Sequence, residues 1–210
     1  MAMKRDFDAA AKTWDLNDAR TRMSTAIADA MIGVLRLSGS EVLLDYGTGT
    51  GTVALRMQPL VRQVIAADSS RGMLDVLEEK LKASSTTNVR SVVLDLEHDA
   101  APPGDICPDV IVSAMTLHHI ADTARFAAVL CGLLPVGGRI GLADLDTERG
   151  DFHSDNTGVE HFGFDRAELR RIFSGAGFQD IRIETAYEFA RPTPDGVKNF
   201  PIFLLTAQKV

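Results

Sequence analysis

The stretch Glu41 to Val53, EVLLDYGTGTGTV, decides the fold. It opens with an apolar run of strand type, Val42 to Leu44, and continues with three glycines at alternate positions: Gly47, Gly49 and Gly51. Glycine permits a positive φ and lets a ligand approach the backbone closely. The helix that follows offers free N–H groups at its N-terminus. The stretch therefore predicts strand, glycine turn and helix, an arrangement that suits an anionic or carboxylate-bearing cofactor at the carboxyl edge of a parallel sheet.

The glycine spacing differs from that of dinucleotide-binding proteins. Their fingerprint, G-x-G-x-x-G, requires a third glycine where this chain has Thr52. The carboxylate of Asp45 would repel a pyrophosphate but would pair with an ammonium group. In the sequence DYGTGTG the chain resembles the first motif of the class I S-adenosylmethionine-dependent methyltransferases. The resemblance implies that Asp45, Tyr46 and the three glycines border S-adenosylmethionine, and that the product is S-adenosylhomocysteine.

A second acidic residue follows at an interval typical of nucleotide-binding folds. Gln63 to Asp68 predicts a second strand, and Asp68 lies about 20 residues after Asp45, where such folds place a ribose-binding carboxylate. Alternatively, Asp68 caps the next helix. The sequence DSSRGML, which begins at Asp68, resembles the second motif of the family. The resemblance places Ser69 at the cofactor and Met73 beside the adenine, although methionine is also a common core residue.

The third strand supplies the predicted adenine contacts. Asn88 to Leu96 has the composition of a strand, with Asp95 near its end, and Pro102 to Gly104 then predicts a loop. The resemblance implies that Asp95 accepts from the adenine amine and that the Leu96 N–H meets a ring nitrogen. Asp95 is alternatively a simple turn residue.

The fourth strand, Pro108 to Ser113, leads to the predicted catalytic residues. The resemblance implies that Ser113 and Ala114 border the methionine portion of the cofactor. His118 and His119 leave this strand on the ligand side of the sheet. Imidazole can remove a proton from a methyl acceptor near neutral pH, so we predict one of these two as an optional base.

The segment after the fifth strand is the predicted acceptor site. His153 and His161 flank it, and the cluster of Phe152, Phe162 and Phe164 suggests an apolar pocket, although these rings could equally fix the loop to the core. His153, His161 and Phe162 are the predicted substrate contacts. A metal site would need these histidines with Asp144 and Asp146. The interval between the two histidines matches no compact helical metal motif, so we predict no resident metal.

The remaining pattern predicts an α/β fold, namely a Rossmann-like, doubly wound sheet of seven strands. A fifth strand, Arg139 to Ala143, precedes a helix over Asp165 to Phe173. Phe178 to Phe189 and Phe200 to Gln208 predict a closing antiparallel hairpin, because only the loop Arg191 to Gly196 separates them.

The residues before the first strand predict a helical cap. Apolar residues recur at helical spacing on both sides of a break at Asp15 to Asn17. The family resemblance implies that this cap closes over the cofactor and brings Trp14 to it; simple packing on the sheet is the alternative. We expect one domain over residues 1–210, with the cap at 1–39 and the Rossmann-like core at 40–210.

Composition excludes several classes. The formal net charge of −7, without a concentrated basic patch, disfavours nucleic acid as a partner. There is no apolar run long enough to span a membrane, and the polar start MAMKRDFDAA does not resemble a secretory signal, so we expect a cytoplasmic protein. Cys107 and Cys131 are too few for a cysteine metal cluster. The oligomeric state is left as monomer or homodimer.

These features together predict transfer of a methyl group from S-adenosylmethionine to a small-molecule acceptor by in-line displacement. The C-terminal stretch beginning HFGFDRAELRRIF resembles small-molecule methyltransferases of the ubiquinone-biosynthesis-like group. Two alternatives stay open. One is a methyltransferase-like protein that binds the cofactor without turnover, and the other is an NAD(P)-dependent oxidoreductase, against which the glycine spacing and Asp45 argue.

Overall fold

The structure of the protein is a computed structural model that describes residues 6–98, 104, 106–193 and 196–210. Pro102 and Pro103 of the predicted loop, and the first five residues of the predicted cap, lie outside the described residues.

Seven strands form one sheet, in the order β3-β2-β1-β4-β5-β7-β6. Their bounds are β1 (Val42–Tyr46), β2 (Gln63–Asp68), β3 (Val89–Val93), β4 (Val110–Ala114), β5 (Arg139–Leu145), β6 (Phe178–Thr193) and β7 (Gly196–Lys209). The first five are parallel, whereas β7 runs antiparallel to both β5 and β6. The order reverses at β1 and β4, so that the crevice at the carboxyl ends of these strands is the expected ligand site. The predicted doubly wound sheet with a closing hairpin is confirmed.

Helices cover both faces of this sheet. They are α1 (Phe7–Ala10), continued by a 3₁₀ helix (Ala11–Leu16), α2 (Asp18–Leu35), α3 (Thr52–Met57), α4 (Arg71–Ser84), α5 (Thr123–Leu133) and α6 (Arg166–Gly175). Helices α2, α3 and α4 supply buried residues to one core cluster, and α5 and α6 supply them to the other. Alternate residues of β1 enter alternate clusters: Leu43 faces the first group of helices and Leu44 the second. Strand β1 is therefore buried on both faces, as its apolar run predicts.

The hairpin is longer than its sequence predicts. Arg191 and Gly196, expected in a loop, pair within the two strands, and β7 begins at Gly196 instead of Phe200. Proline does not break the hairpin because Pro192 lies on the edge strand β6, where its missing N–H interrupts no further pairing. The last pair of β7 with β5 is Ile202 with Leu145, so the rest of the hairpin extends past the carboxyl edge of the sheet as a two-stranded arm (residues 186–193 and 196–201).

A bulge determines which side the arm presents. Ile181 and Ile183 pack against the cluster under α5 and α6, whereas Tyr187 and Phe189 pack against the cluster under α2. The register shift between Thr185 and Tyr187 adds the extra residue that exchanges the two faces. As a result, the arm turns aromatic residues toward the side of the sheet where the N-terminal cap lies.

A further strand bound also differs from expectation. Strand β3 ends at Val93, three residues before the predicted end at Leu96, and the chain then turns with Leu94 and Leu96 still buried.

In the described ranges, none of the helices combines the length and the apolar character that crossing a bilayer requires.

Candidate active site

A cavity of about 960 Å³ lies at the carboxyl edge of the sheet. It is bounded by the glycine turn after β1, the ends of β2 and β4, the N-terminal cap and the hairpin arm. Its wall includes these predicted site residues: Trp14, Asp45, Tyr46, Gly47, Gly49, Asp68, Ser69, Met73, Asp95, Ala114, His118, His119 and His153. The structure thus brings together most of the cofactor residues and three of the histidines around one space.

Five predicted residues do not line the cavity: Gly51, Leu96, Ser113, His161 and Phe162. Gly51 begins α3 with φ +87°, and a Cβ on it would meet the Leu77 side chain. The Ser113 hydroxyl donates to the Tyr46 carbonyl at 2.7 Å, which joins two strands below the cavity. The Leu96 N–H donates to the Tyr46 hydroxyl at 3.2 Å, so in this arrangement it is not offered to an adenine ring.

The two substrate residues that fall outside the cavity have structural contacts instead. His161 Nε2 lies 2.9 Å from the Ile120 carbonyl, and the His161 ring packs on Phe164 with centroids 5.0 Å apart. Phe162 is 45% exposed. The segment after β5 turns so that Phe152 and His153 enter the cavity wall. Neither His161 nor Phe162 lines the cavity in this structure, and their contact with an acceptor stays a prediction.

The glycine turn leaves backbone exposed on the cavity side. Gly47 and Gly49 have positive φ, +72° and +55°. A Cβ on Gly47 would lie 2.2 Å from the Thr116 hydroxyl oxygen, whereas a Cβ on Gly49 would have no neighbour within 4 Å. Gly47 therefore allows a close approach between two loops, and Gly49 keeps an open surface that a ligand can cover.

A buried carboxylate, Asp45, and a partly buried one, Asp68, lie under this turn. Asp45 accepts from the Thr48 hydroxyl at 2.7 Å, and burial raises its pKa to about 7. Asp68 accepts from the Gly49 N–H at 2.8 Å and from the Ser70 N–H at 2.9 Å, and burial raises its pKa as well. Each Asp68 oxygen holds one backbone donor and retains lone-pair capacity for another. The ribose-binding role predicted for Asp68 requires this exposure of a fixed carboxylate to the cavity, whereas the N-cap of α4 is Ser70.

The N-terminal cap is joined to the cofactor side of the cavity by two further carboxylates. Asp8 accepts from the Ser70 hydroxyl at 2.5 Å and from the Gly72 N–H at 2.7 Å. Asp15 accepts from the Thr50 hydroxyl at 2.7 Å and pairs with Lys80 at the same distance. These contacts hold the cap across the turn and bring Trp14 into the cavity wall.

A buried histidine–aspartate pair forms the opposite wall. His118 Nδ1 lies 2.8 Å and 3.0 Å from the two carboxylate oxygens of Asp144, at the carboxyl end of β5. Asp144 also accepts from the backbone N–H groups of His118 (3.1 Å) and Leu145 (2.7 Å). Burial opposes its ionisation, but the charge of His118 and these donors outweigh burial and hold the pKa of Asp144 below its ordinary value.

This pair fixes the tautomer of His118. An ionised carboxylate only accepts hydrogen bonds, so Nδ1 carries a proton, and in the neutral form of the ring Nε2 then has the lone pair. Among the described residues, His118 Nε2 has no hydrogen-bond partner, and it is buried. A buried nitrogen in a cavity wall is available to a ligand or to a water molecule.

The neighbouring histidines have different surroundings. His119 Nδ1 lies 2.6 Å from the Gly158 carbonyl, and its ring meets Phe7 edge-on at 5.4 Å. The His118 ring stacks against His119 at 4.1 Å and against His153 at 4.9 Å. His119 is thus anchored through the Gly158 carbonyl and its ring faces the cap, whereas His118 is paired with the buried carboxylate of Asp144.

The comparisons with known proteins point to one family. Residues 43–138 match the model of a methyltransferase domain. An uncharacterized methyltransferase of Schizosaccharomyces pombe is 29% identical over 154 residues, which are 67% of this chain and 54% of that protein. The demethylmenaquinone methyltransferase of Thermobifida fusca is 30% identical over 116 residues, 55% of this chain and 48% of that protein.

A solved structure extends the match to the whole fold. An S-adenosylmethionine-dependent methyltransferase from Aquifex aeolicus superposes with a TM-score of 0.70 at 20% identity, covering 99% of this chain and 100% of that one. The chain thus resembles methyltransferases in residues 43–138 and shares their fold over its whole length. It spans about half the length of the curated relatives it matches.

Several residues that were not predicted from the sequence also line the cavity. Arg20 lies 3.8 Å above the centre of the Trp14 ring and donates to the Trp14 carbonyl, which orients the cap. Phe189 and Arg191 enter from the hairpin arm. The helical spacing of the cap offered a signal for Arg20. Nothing in the local sequence placed the arm over the cavity, because a bulge determines which side of the arm faces it.

One cluster at the rim of the cavity brings three potential metal ligands close together. Within the described part of the chain, ligand atoms of Asp95, Glu97 and His98 lie within 4.8 Å of one another. Asp95 already accepts from the N–H groups of Glu97 and His98 and contacts the His98 ring, and Glu97 accepts from the Ala121 N–H. These bonds define a turn beside the predicted adenine position. Asp144 and Asp146, considered above as metal ligands together with His153 and His161, are engaged in separate pairs. Asp146 pairs with Arg166 at 2.7 Å, and Asp144 pairs with His118.

Proposed function

We propose that this methyltransferase transfers the methyl group of S-adenosylmethionine to a small-molecule acceptor, with His118 as the base. The observation that supports this most directly is the His118–Asp144 pair in the wall of the same cavity that the glycine turn borders. The cavity volume is at the upper end of the range for small-molecule pockets, which leaves room for a cofactor and a second molecule together.

The residues of the turn fit the cofactor. The open surface at Gly49 accepts a ligand where a Cβ would project, and the Asp68 carboxylate has acceptor capacity for a ribose diol. The carboxylate of Asp45 lies below the turn, where an ammonium group would offset its buried charge. Met73 and Asp95 lie on the same wall, toward the predicted adenine position.

When bound, S-adenosylmethionine supplies a methyl group on a sulfonium, which is an excellent leaving group. His118 Nε2 takes the proton of the acceptor as the acceptor atom bonds to the methyl carbon, and the electron pair of the broken carbon–sulfur bond stays with sulfur. Asp144 keeps the imidazole in the tautomer that can do this and stabilises the charge it gains. The cap, held by Asp8 and Asp15, excludes water from the reactants.

Calorimetry and label transfer test this proposal in two stages. The purified protein is titrated with S-adenosylhomocysteine and with NADH, and it is then incubated with methyl-labelled S-adenosylmethionine and a set of phenols, amines and thiols. We expect micromolar binding of the sulfur compound alone, and label transfer to at least one acceptor. Binding of NADH instead would contradict the methyltransferase, and cofactor binding without any transfer would favour a binding protein.

Asp144 is a positioning residue and has its own test. Asp144→Asn retains the shape but can donate to Nδ1, which moves the imidazole proton to Nε2 and blocks the base. We expect kcat to fall at least about a hundredfold while KM for S-adenosylmethionine stays unchanged. A merely structural role would instead raise KM and lower the melting temperature together with kcat.

A further inference from the structure

The wall between the proposed base and the hairpin arm is a continuous series of rings. The His118 and His153 centroids lie 4.9 Å apart, those of His153 and Phe152 lie 4.8 Å apart, and those of Phe152 and Phe189 lie 5.5 Å apart. Phe200, opposite Phe189 on the arm, also contacts Phe152 at 5.4 Å. A planar ligand can pack along such a surface.

An arginine lies at the far end of this series. Arg191 follows Phe189 by two residues on β6, so both side chains lie on the same side of the arm, about 7 Å apart along the strand. Arg191 lines the cavity and is half-buried. It forms no ion pair with any residue in the described ranges, unlike Arg20, the other arginine of the wall, which lies on Trp14.

The arm also places two cations directly opposite each other. Arg191 pairs in register with Lys198 on β7. Like charges at opposite positions of an antiparallel pair destabilise it. The Lys198 ammonium is neutralised by Asp151, whereas Arg191 has no such counter-charge. Of the other charged residues of the wall, Glu160 is exposed and Glu97 bonds to the Ala121 N–H. A bound anion would therefore neutralise Arg191 and offset the repulsion between it and Lys198.

We propose that the methyl acceptor is a phenol whose ring system carries a carboxylate, with the carboxylate on Arg191, the rings along Phe152 and Phe189, and the hydroxyl at His118 Nε2. This inference rests on the proposed function. Imidazole exchanges protons near neutral pH, so it can deprotonate a phenol, whose pKa is ~10. It cannot deprotonate an aliphatic hydroxyl, whose pKa is close to that of water, ~16. Arginine suits a carboxylate because its planar fork can bind both oxygens.

Calorimetric titration of the protein saturated with S-adenosylhomocysteine tests the inference. The probes are para-hydroxybenzoate, hydroxynaphthoate and hydroxybiphenyl carboxylate, each beside its primary amide and its aminomethyl analogue. We expect at least one carboxylate to bind about tenfold more tightly than its amide, and the aminomethyl analogue to bind weakest. Arg191→Met removes this preference. Arg182→Met, on the same exposed edge strand before the bulge and outside the cavity wall, retains it.

Three results would overturn the inference: amides that bind as tightly as the carboxylates, a carboxylate preference that survives in Arg191→Met, or no binding of any phenol to the saturated protein. In each of them S-adenosylhomocysteine itself still binds. Failure of the proposed function looks different, because the protein then does not bind S-adenosylhomocysteine in the first titration.

Discussion

The two walls of the cavity are built from different chemistry. The side that we assign to the cofactor, called the cofactor wall, consists of backbone and carboxylates. Gly49 is open to the cavity there, and Asp45 and Asp68 lie beneath it. The acceptor wall consists of imidazole and phenyl rings, and its one buried carboxylate, Asp144, is covered by His118. A carboxylate wall binds cationic and hydroxyl groups, and a ring wall with a free imidazole nitrogen moves protons. The difference predicts that substitutions on the two walls affect different measurements.

The largest effect is expected on the acceptor wall. His118→Asn removes the nitrogen that takes the proton, and we expect kcat to fall by ~10²–10⁴. The dissociation constant for S-adenosylhomocysteine, measured by calorimetry, should stay within about twofold. His119→Asn is the matched control, and because His119 Nδ1 faces a carbonyl, its kcat should fall less than about tenfold. Equal losses in the two variants would remove the distinction between these histidines.

The pH dependence of stability tests the burial of Asp45. Its native pKa of about 7 exceeds 3.8, so the native state binds this proton more tightly than the unfolded state. The contribution of Asp45 to stability therefore falls as pH rises from about 4 to 7. Asp45→Asn removes this loss, and between pH 5 and pH 8 its free energy of unfolding should gain on that of the unliganded wild type by up to about 3 kcal/mol. If the urea-unfolding midpoints of the variant and the wild type differ by the same amount at both pH values, the native state does not raise the pKa of Asp45.

Removing the other carboxylate of the cofactor wall should affect binding. Asp68→Ala deletes the acceptor for the ribose hydroxyls, and two hydrogen bonds to a charged group make a loss of about a hundredfold in affinity for S-adenosylhomocysteine reasonable. Asp75→Ala, on the exposed face of α4 with Arg71, is the matched control. Calorimetry compares the two, and similar affinities in both variants would exclude Asp68 from the site.

Alanine at the two glycines separates folding from binding within one turn. Gly47→Ala forces a Cβ into the Thr116 side chain, so we expect a loss of about 1–3 kcal/mol in the free energy of unfolding. In Gly49→Ala the new Cβ meets no protein atom and points into the cofactor space, so stability should fall less and cofactor affinity should fall more. Urea unfolding and calorimetry on both variants provide the check; the opposite order would place the ligand elsewhere.

The smallest effect is expected at the cap. Asp8→Ala removes the acceptor of the Ser70 hydroxyl and the Gly72 N–H, whose bonds lower the pKa of Asp8. Asp8 itself is exposed, so we expect S-adenosylhomocysteine affinity to fall only a few-fold. Asp29→Ala, which removes a surface pair with Arg56, should leave that affinity unchanged. If Asp8→Ala also leaves affinity unchanged, the cap does not close over the cofactor.

The cofactor wall was more predictable than the acceptor wall because it is local in sequence. The run Val42 to Leu44 and the glycines after it specify a strand and a turn directly, and β2 ends at Asp68 as predicted. The fifth strand likewise starts at Arg139, although it continues two residues past the predicted Ala143, to Leu145. Buried parallel strands have a continuous apolar pattern, which is why their positions can be read from composition.

The acceptor wall depends on contacts between distant segments. His118 and Asp144 meet because β4 and β5 are neighbours with Ala114 opposite Ala143, a register that the sequence alone does not specify. Arg191 reaches the cavity only because a bulge exchanges the faces of β6 and because Pro192 is tolerated on an edge strand. His161 lies outside the cavity wall for the same reason, since the loop after β5 presents His153 to the cavity and turns His161 toward Ile120.

A crystal structure of the complex with S-adenosylhomocysteine tests the division of the cavity most directly. We expect the ribose hydroxyls to bind the Asp68 carboxylate and the amino acid portion to lie over Gly49. The sulfur should be directed across the cavity toward the His118 ring. A sulfur directed away from His118, or a ligand bound on the ring wall instead of the glycine turn, would contradict it.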